Sequence, residues 1–136
     1  MKVASDLADV SFVMIGACSL PSGWCPHENV HLLGQRPYEE VAGYMAACDV
    51  LIMPWNQSDW IKACNPVKMK EYLAVGRPIV STYFPEVDYF SDHISVARTA
   101  EEFAQLIRTH LADRGDAIVR RDRVRSHTWE AKADLV

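Results

Sequence analysis

The sequence predicts an α/β fold in which helices cover both faces of a parallel β-sheet. Three runs of consecutive apolar residues, at 12–15, 50–53 and 79–80, are separated by longer segments with helical periodicity. Strands that are apolar on both faces are typical of parallel sheets, because helices cover such sheets from both sides. The alternation of these strands with segments long enough for crossover helices favours the α/β class.

The individual elements follow from local signals, chiefly glycine and proline at the ends of periodic segments. The predicted strands are residues 11–16, 29–33, 50–53, 79–82 and 94–97. The predicted helices are residues 2–9, 37–48, 66–75, 99–112 and 115–125, with a last helix capped by Thr128. Loops are predicted at residues 17–28, 54–64 and 83–87. The last two loops follow the carboxyl ends of strands, where α/β sheets place their ligands.

The composition is typical of a folded domain without a broad basic surface. The chain has 136 residues, of which 49% are hydrophobic, and a formal net charge of −4. We therefore expect a single domain over residues 1–136 and no nucleic-acid partner. A cluster of four arginines between residues 120 and 125 is interrupted by an acid, and we expect it to form a solvated helix face.

Cysteine and histidine spacing gives no sign of a metal site. The four cysteines form no C-x-x-C pair, and no histidine is spaced as a metal ligand would be. A disulfide between Cys18 and Cys25 is conceivable, but the remaining composition is typical of a cytoplasmic protein. No apolar run approaches the roughly 18 residues of a membrane span, and we expect no signal peptide. The expected location is cytoplasmic, and no cofactor is expected.

The segment 65–81 carries the clearest structural signals of the chain. Asn65 is a good N-cap residue, and Pro66 suits the first position of a helix. Gly76 is expected to end the helix, and Pro78 prevents its continuation into the next apolar run. The segment therefore predicts a helix, a tight turn and a buried strand.

Two charged side chains fall near the start of this helix. At about 100° per residue, Met69, Tyr72 and Leu73 share the arc that should face the sheet, and Lys68 and Glu71 lie at one edge of it. A helix N-terminus favours a phosphate, an adjacent lysine adds charge, and a carboxylate can accept two hydrogen bonds from a sugar diol. The alternative is a surface ion pair worth about 0.2–0.5 kcal/mol.

The order Asn-Pro-x-Lys-x-x-Glu-Tyr-Leu-Ala-x-Gly-x-Pro-Ile-Val at residues 65–80 resembles the donor-binding segment of group 1 glycosyltransferases of the GT-B fold. Residues 49–54 resemble the family's preceding strand and loop, and residues 30–41 its strand, loop and helix near the nucleotide base. Trp129 and Glu130 resemble the start of its last helix. The resemblance implies a Rossmann-like sheet, which is the C-terminal, donor-binding half of a two-domain enzyme.

The resemblance also implies the chemistry. Such an enzyme binds a nucleotide-diphosphate sugar and transfers the sugar, with retention and without an essential metal, to an acceptor that the sequence does not identify. The glutamate matching Glu71 binds the donor ribose, and the lysine matching Lys68 lies toward the phosphates. The implied donor-binding residues are Ala63, Cys64, Asn65, Pro66, Lys68, Glu71, Gly34 and Gln35. Polysaccharide biosynthesis is the family's usual setting, and the full-length enzyme can be peripheral to the membrane.

The sequence departs from the family pattern in two places. Many members carry a glutamate near the transferred sugar where this chain has Ala63, so backbone N–H groups of residues 63–65 are expected to take part of that role. The chain also opens with what resembles the helix after the family's central first strand. The resemblance therefore implies a fragment that lacks this strand and the acceptor-binding half, and that is inactive or nearly so by itself.

Without that strand, the strands at 11–16 and 50–53 would have unpaired edges. We expect these edges either to pair directly with each other or to be covered by another chain, for example in a homo-oligomer.

Two other functions remain open on the sequence. One is a GT-B enzyme of the nucleotide-sugar epimerase type, which needs no acceptor. The other is a non-catalytic interaction module, which would bind no nucleotide.

Overall fold

A computed structural model describes residues 2–21, 24 and 27–134 of the chain. The chain forms two compact units, Met1–Val41 and Ala42–Val136. The prediction of a single domain over residues 1–136 stays a prediction.

The first unit contains a parallel pair of strands that follows a short helix. Its elements are α1 (Lys2–Asp6), β1 (Phe12–Ile15), β2 (Val30–Gly34) and the start of α2 (Tyr38–Ala47). Phe12 lies opposite Val30 in the register of the two strands, and both side chains are buried. The side-chain amide of Asn29 donates to three carbonyl oxygens at the end of α1 and just beyond it, at 2.9–3.0 Å. These bonds satisfy acceptors that a helix end leaves unpaired.

The second unit contains a parallel three-stranded sheet in the order β3-β4-β5. Its elements after α2 are β3 (Leu51–Met53), α3 (Asp59–Lys62), α4 (Val67–Val75), β4 (Ile79–Thr82), a 3₁₀ helix (Pro85–Phe90), β5 (Ser95–Ala97), α5 (Ala100–Ala112), α6 (Ala117–Val124) and α7 (Trp129–Ala133). Leu51 lies opposite Ile79 and Val80 opposite Ser95.

The core of the second unit explains why α4 is fixed to the sheet. Met69 and Leu73 of α4 are 0% exposed and belong to one apolar cluster with Leu51, Met53 and Ile79 of the strands. This is the arc that the sequence predicts to face the sheet. Burial of two large side chains, each worth about 1.5–3 kcal/mol, anchors the helix.

The predicted fold class is confirmed, since helices alternate with strands and every strand pair in the described residues is parallel. Thr99 and Thr128 cap α5 and α7, accepting from backbone N–H groups at 3.1 and 3.2 Å. The 54–64 loop differs from the prediction because it contains α3. Ser58 caps this helix through a bond from the Ile61 N–H at 3.4 Å.

The described strands form two sheets rather than one. Because β1 and β3 belong to different units, direct pairing between them stays a prediction. Three apolar side chains of the β1–β2 sheet, Val13, Met14 and Leu32, are exposed by 42%, 37% and 41%. The sequence predicts burial on both faces of these strands. Coverage of these edges by another chain stays a prediction.

Candidate functional site

The predicted donor-binding residues of the second unit lie on the connection from α3 into α4. Ala63 ends α3, and its N–H donates to the Trp60 carbonyl at 3.2 Å. The N–H of Cys64, a half-buried residue, donates to the Ile61 carbonyl at 3.2 Å. Pro66 is buried immediately before α4. The expectation that backbone N–H groups of residues 63–65 bind the transferred sugar is therefore wrong for Ala63 and Cys64, because both N–H groups already have acceptors in α3. Residues 63–71 form one continuous turn and helix.

The predicted N-cap role of Asn65 is wrong. Helix α4 begins at Val67, so the N-cap position falls on Pro66, which forms no side-chain cap. The side-chain oxygen of Asn65 accepts a hydrogen bond from the Lys70 ammonium at 2.6 Å instead. A charge-assisted bond is stronger than a neutral one, which accounts for the change of partner. Among the described residues, the N-cap position of α4 consequently supplies no side-chain hydrogen bond to the helix.

Lys68 and Glu71 lie one turn apart on α4. Lys68 is exposed, and its Nζ lies 5.8 Å from the centroid of the Tyr72 ring, within the range of a cation–π contact. Glu71 is half-buried. Burial, with smaller contributions from Cys48 and Glu71, raises the pKa of Tyr72 to about 12. The Tyr72 phenol is therefore neutral at physiological pH.

Gly34 and Gln35 belong to the first unit. Gly34 ends β2 with φ at 72°, a conformation that favours glycine, and its carbonyl accepts from the Gly16 N–H at 3.0 Å. Gln35 is exposed in the loop that follows. Because the other predicted site residues belong to the second unit, a shared role for Gly34 and Gln35 stays a prediction.

The loop between β3 and α3 contains two tryptophans with different environments. Trp55 is half-buried, with its ring centroid 6.5 Å from Phe84 and 5.8 Å from Trp60. Trp60 is 63% exposed. The Thr82 hydroxyl donates to the Trp55 carbonyl at 2.8 Å and ties this loop to the end of β4. The sequence left open whether these residues line a pocket or are buried. The structure places Trp55 partly in the interior and Trp60 at the surface, and their lining of a pocket stays a prediction.

Helix α6 holds the carboxyl end of α4, an arrangement that the sequence did not predict. Arg120 donates from Nε to the Gly76 carbonyl at 3.0 Å, and Arg121 donates from Nε and Nη2 to the Val75 carbonyl at 3.2 and 2.9 Å. The prediction of a solvated arginine face is wrong for Arg120, which is buried. Burial also lowers its pKa, an effect that Asp116 partly opposes. No local sequence signal pairs an arginine with a carbonyl 44 residues away.

The described residues offer neither a metal-binding cluster nor a membrane-spanning helix. Within residues 2–21, 24 and 27–134, no group of three or more His, Cys, Asp or Glu side chains could hold a metal ion. In the same part of the chain, no helix is long and apolar enough to cross a membrane. Cys18 is a free thiol, and Cys25, its conceivable disulfide partner, lies outside the described residues.

These features define a Rossmann-like α/β protein whose helix α4 presents an uncapped amino end beside a lysine. A family model described as glycosyl transferases group 1 matches residues 1–113, and the chain belongs to this family of enzymes. TuaH of Bacillus subtilis (strain 168), whose name provisionally describes a teichuronic acid biosynthesis glycosyltransferase, is 42% identical over 57 residues. That match covers 42% of this chain and 14% of TuaH.

Proposed function

We propose that this chain binds a nucleotide-diphosphate sugar as the donor domain of a glycosyltransferase. The observation that carries the proposal is the amino end of α4, where the N-cap residue Pro66 forms no side-chain cap within the described part of the chain and the exposed Lys68 lies in the first turn. The first N–H groups of a helix and its partial positive charge favour a phosphate group. Membership of the glycosyl transferases group 1 family supports a diphosphate as that group.

The amino end of α4 could also stabilise the transition state of sugar transfer in the proposed reaction. When the glycosidic bond to the donor breaks, negative charge develops on the diphosphate leaving group. N–H groups and a cation fixed in advance at that position stabilise the charge without reorganisation. Lys68 and the backbone N–H groups of Asn65 and Val67 have this role in the proposal. The N–H groups of Ala63 and Cys64 already donate to carbonyl oxygens of α3, and Pro66 has no N–H. The proposed reaction proceeds with retention at the anomeric carbon and without a metal, as the resemblance implies.

Glu71 is the proposed ligand of the donor ribose. A carboxylate is an acceptor with two oxygens, so it can bind two neighbouring hydroxyl groups at once. Glu71 is half-buried and lies one turn beyond Lys68. A nucleotide whose phosphates lie at Lys68 would therefore have its ribose, the next group, near Glu71. Partial burial makes such bonds stronger than at a fully exposed site.

In the proposal, the acceptor binds outside the donor site formed by residues 63–71. The match with TuaH covers 14% of that protein. Transfer of the sugar to an acceptor is therefore part of the proposal. The name of TuaH refers to teichuronic acid biosynthesis, and this supports polysaccharide biosynthesis as the setting.

Calorimetric titration of the chain with UDP, GDP and their hexose derivatives tests the proposal. We expect one of the two nucleoside diphosphates to bind and the corresponding nucleoside to bind more weakly, because the phosphates contact α4. Failure of the chain to bind any of these nucleotides would contradict a donor domain and favour an interaction module.

A further inference from the structure

Trp60 is an exposed aromatic residue that the protein supports from beneath. Its ring packs on Trp55 at a centroid distance of 5.8 Å, and Trp55 packs edge-on against Phe84, which is 1% exposed. The three rings therefore run from the core to the surface. Trp60 still exposes 63% of its surface, so a large apolar face is held in place and left uncovered by the described residues.

Trp55, which supports Trp60, has a buried polar group without a hydrogen-bond partner among the described residues. The indole N–H of Trp55 is buried and has no hydrogen-bond acceptor among the described residues. Leaving a buried donor unpaired costs about 1–3 kcal/mol, so this position is not optimised for stability. Departures of this kind are expected at functional sites, where a geometry is kept for a purpose other than folding.

Trp60 also lies close to the amino end of α4. The Trp60 carbonyl accepts from the Ala63 N–H at 3.2 Å, and the four Cα–Cα steps from Ala63 to Val67 can span at most about 14 Å. A diphosphate bound at α4 would therefore have its attached group within reach of the Trp60 side chain. The loop that carries Trp60 follows β3, at the carboxyl edge of the sheet where ligands bind in α/β folds.

Two charged side chains lie beside Trp60 in the sequence of α3. Asp59 and Lys62 flank Trp60 on α3 and pair with each other at 2.7 Å, with side-chain exposures of 98% and 63%. Such an exposed pair adds little to stability, and its groups can exchange partners with hydroxyls. An exposed aromatic face matches the apolar C–H face of a pyranose ring, and polar side chains on the same short helix can bind hydroxyl groups.

We propose that Trp60 is the stacking platform for the sugar ring of the nucleotide-sugar donor, and that it contributes to the choice of sugar. This inference rests on the proposed donor-binding function and adds the subsite for the transferred sugar. Trp55 acts as a positioning residue that holds the Trp60 ring in place.

The test compares the affinities of UDP with UDP-glucose, and of GDP with GDP-mannose, for the whole chain by calorimetry. Trp60→Ala should weaken binding of the nucleotide sugar roughly 3- to 10-fold and leave the nucleoside diphosphate within about twofold. Trp60→Phe should restore most of the loss, because phenylalanine keeps an aromatic face. Tyr89→Ala is the matched control, since Tyr89 is 73% exposed on the 3₁₀ helix, and it should change neither affinity.

Each other outcome has a separate meaning. An equal loss of affinity for nucleoside diphosphate and nucleotide sugar would place Trp60 at the base or phosphate and overturn the sugar assignment. Unchanged affinity for the nucleotide sugar, or a wild-type chain that binds it no more tightly than the diphosphate, would also overturn it. A wild-type chain that binds no nucleotide would instead overturn the proposed function, and the Trp60 assignment with it.

Discussion

Substitution of Gly76 by alanine probes the junction between α4 and α6. Gly76 has φ at 82°, and the left-handed conformation costs an L-residue about 1–2 kcal/mol. The new Cβ would lie 2.7 Å from Arg121 Nε and 3.0 Å from the Ala117 carbonyl oxygen. The arginine can move only by giving up its bonds to the Val75 carbonyl, and the backbone oxygen cannot move independently of α6. Overpacking of this kind costs about 1–3 kcal/mol.

The two contributions together predict that Gly76→Ala lowers the free energy of unfolding by about 2–5 kcal/mol. Urea denaturation followed by circular dichroism measures this loss. Gly43→Ala is the matched control, because a Cβ at Gly43 in α2 meets nothing within 4 Å. There the substitution should leave stability unchanged or raise it by up to about 1 kcal/mol. A Gly76→Ala variant within about 0.5 kcal/mol of the wild type would refute the packing described for this junction.

Two further predictions concern buried groups near the same helix. Because the pKa of Tyr72 is raised from 10.0 to about 12, the folded state keeps a proton that the unfolded state loses. The free energy of unfolding should therefore be unaffected below pH 10.0 and fall by up to about 2–3 kcal/mol as pH rises to about 12. Urea denaturation across this pH range should show a smaller decrease in the free energy of unfolding for Tyr72→Phe than for the wild type. Equal decreases in the two proteins would contradict the burial of the Tyr72 phenol. Arg120→Met keeps the apolar stem but removes the bonds that Arg120 donates to the Gly76 and Arg114 carbonyls, at 3.0 and 2.6 Å, and should cost about 2–3 kcal/mol. Its control Arg125→Met, which removes an exposed ion pair with Asp122, should cost under about 1 kcal/mol, and equal losses would contradict the buried role of Arg120.

The features that the sequence predicted best depend on local signals. Helix α4 ends at Gly76 in the left-handed conformation, as the Gly-x-Pro spacing indicates. The strand at Ile79–Thr82 has the predicted bounds, because an apolar β-branched run starts directly after Pro78. Met69 and Leu73 face the core as their helical spacing requires. In each case, a few neighbouring residues determine the outcome.

The features that the sequence did not predict depend on partners that are distant or in competition. Asn65 has the side chain of an N-cap, but Lys70 offers it a charged donor five residues away. Arg120 becomes buried because a carbonyl of the α4 terminus, far away in sequence, accepts its hydrogen bond. The described strands pair in two sheets. The sequence did not predict this pairing, because an apolar run indicates a buried strand but does not indicate which strand lies beside it.

The most direct test of the account compares ribose recognition with and without Glu71. The nucleoside diphosphate that binds is titrated beside its 2′-deoxy form, into wild type, Glu71→Ala and the control Glu101→Ala, an exposed glutamate in the first turn of α5. If Glu71 binds the ribose hydroxyls, the wild type and the control should prefer the ribonucleotide. Glu71→Ala should lose that preference and about 1–3 kcal/mol of binding free energy. A Glu71→Ala variant that keeps the full preference for ribose would contradict the central claim that α4 is the donor-binding helix.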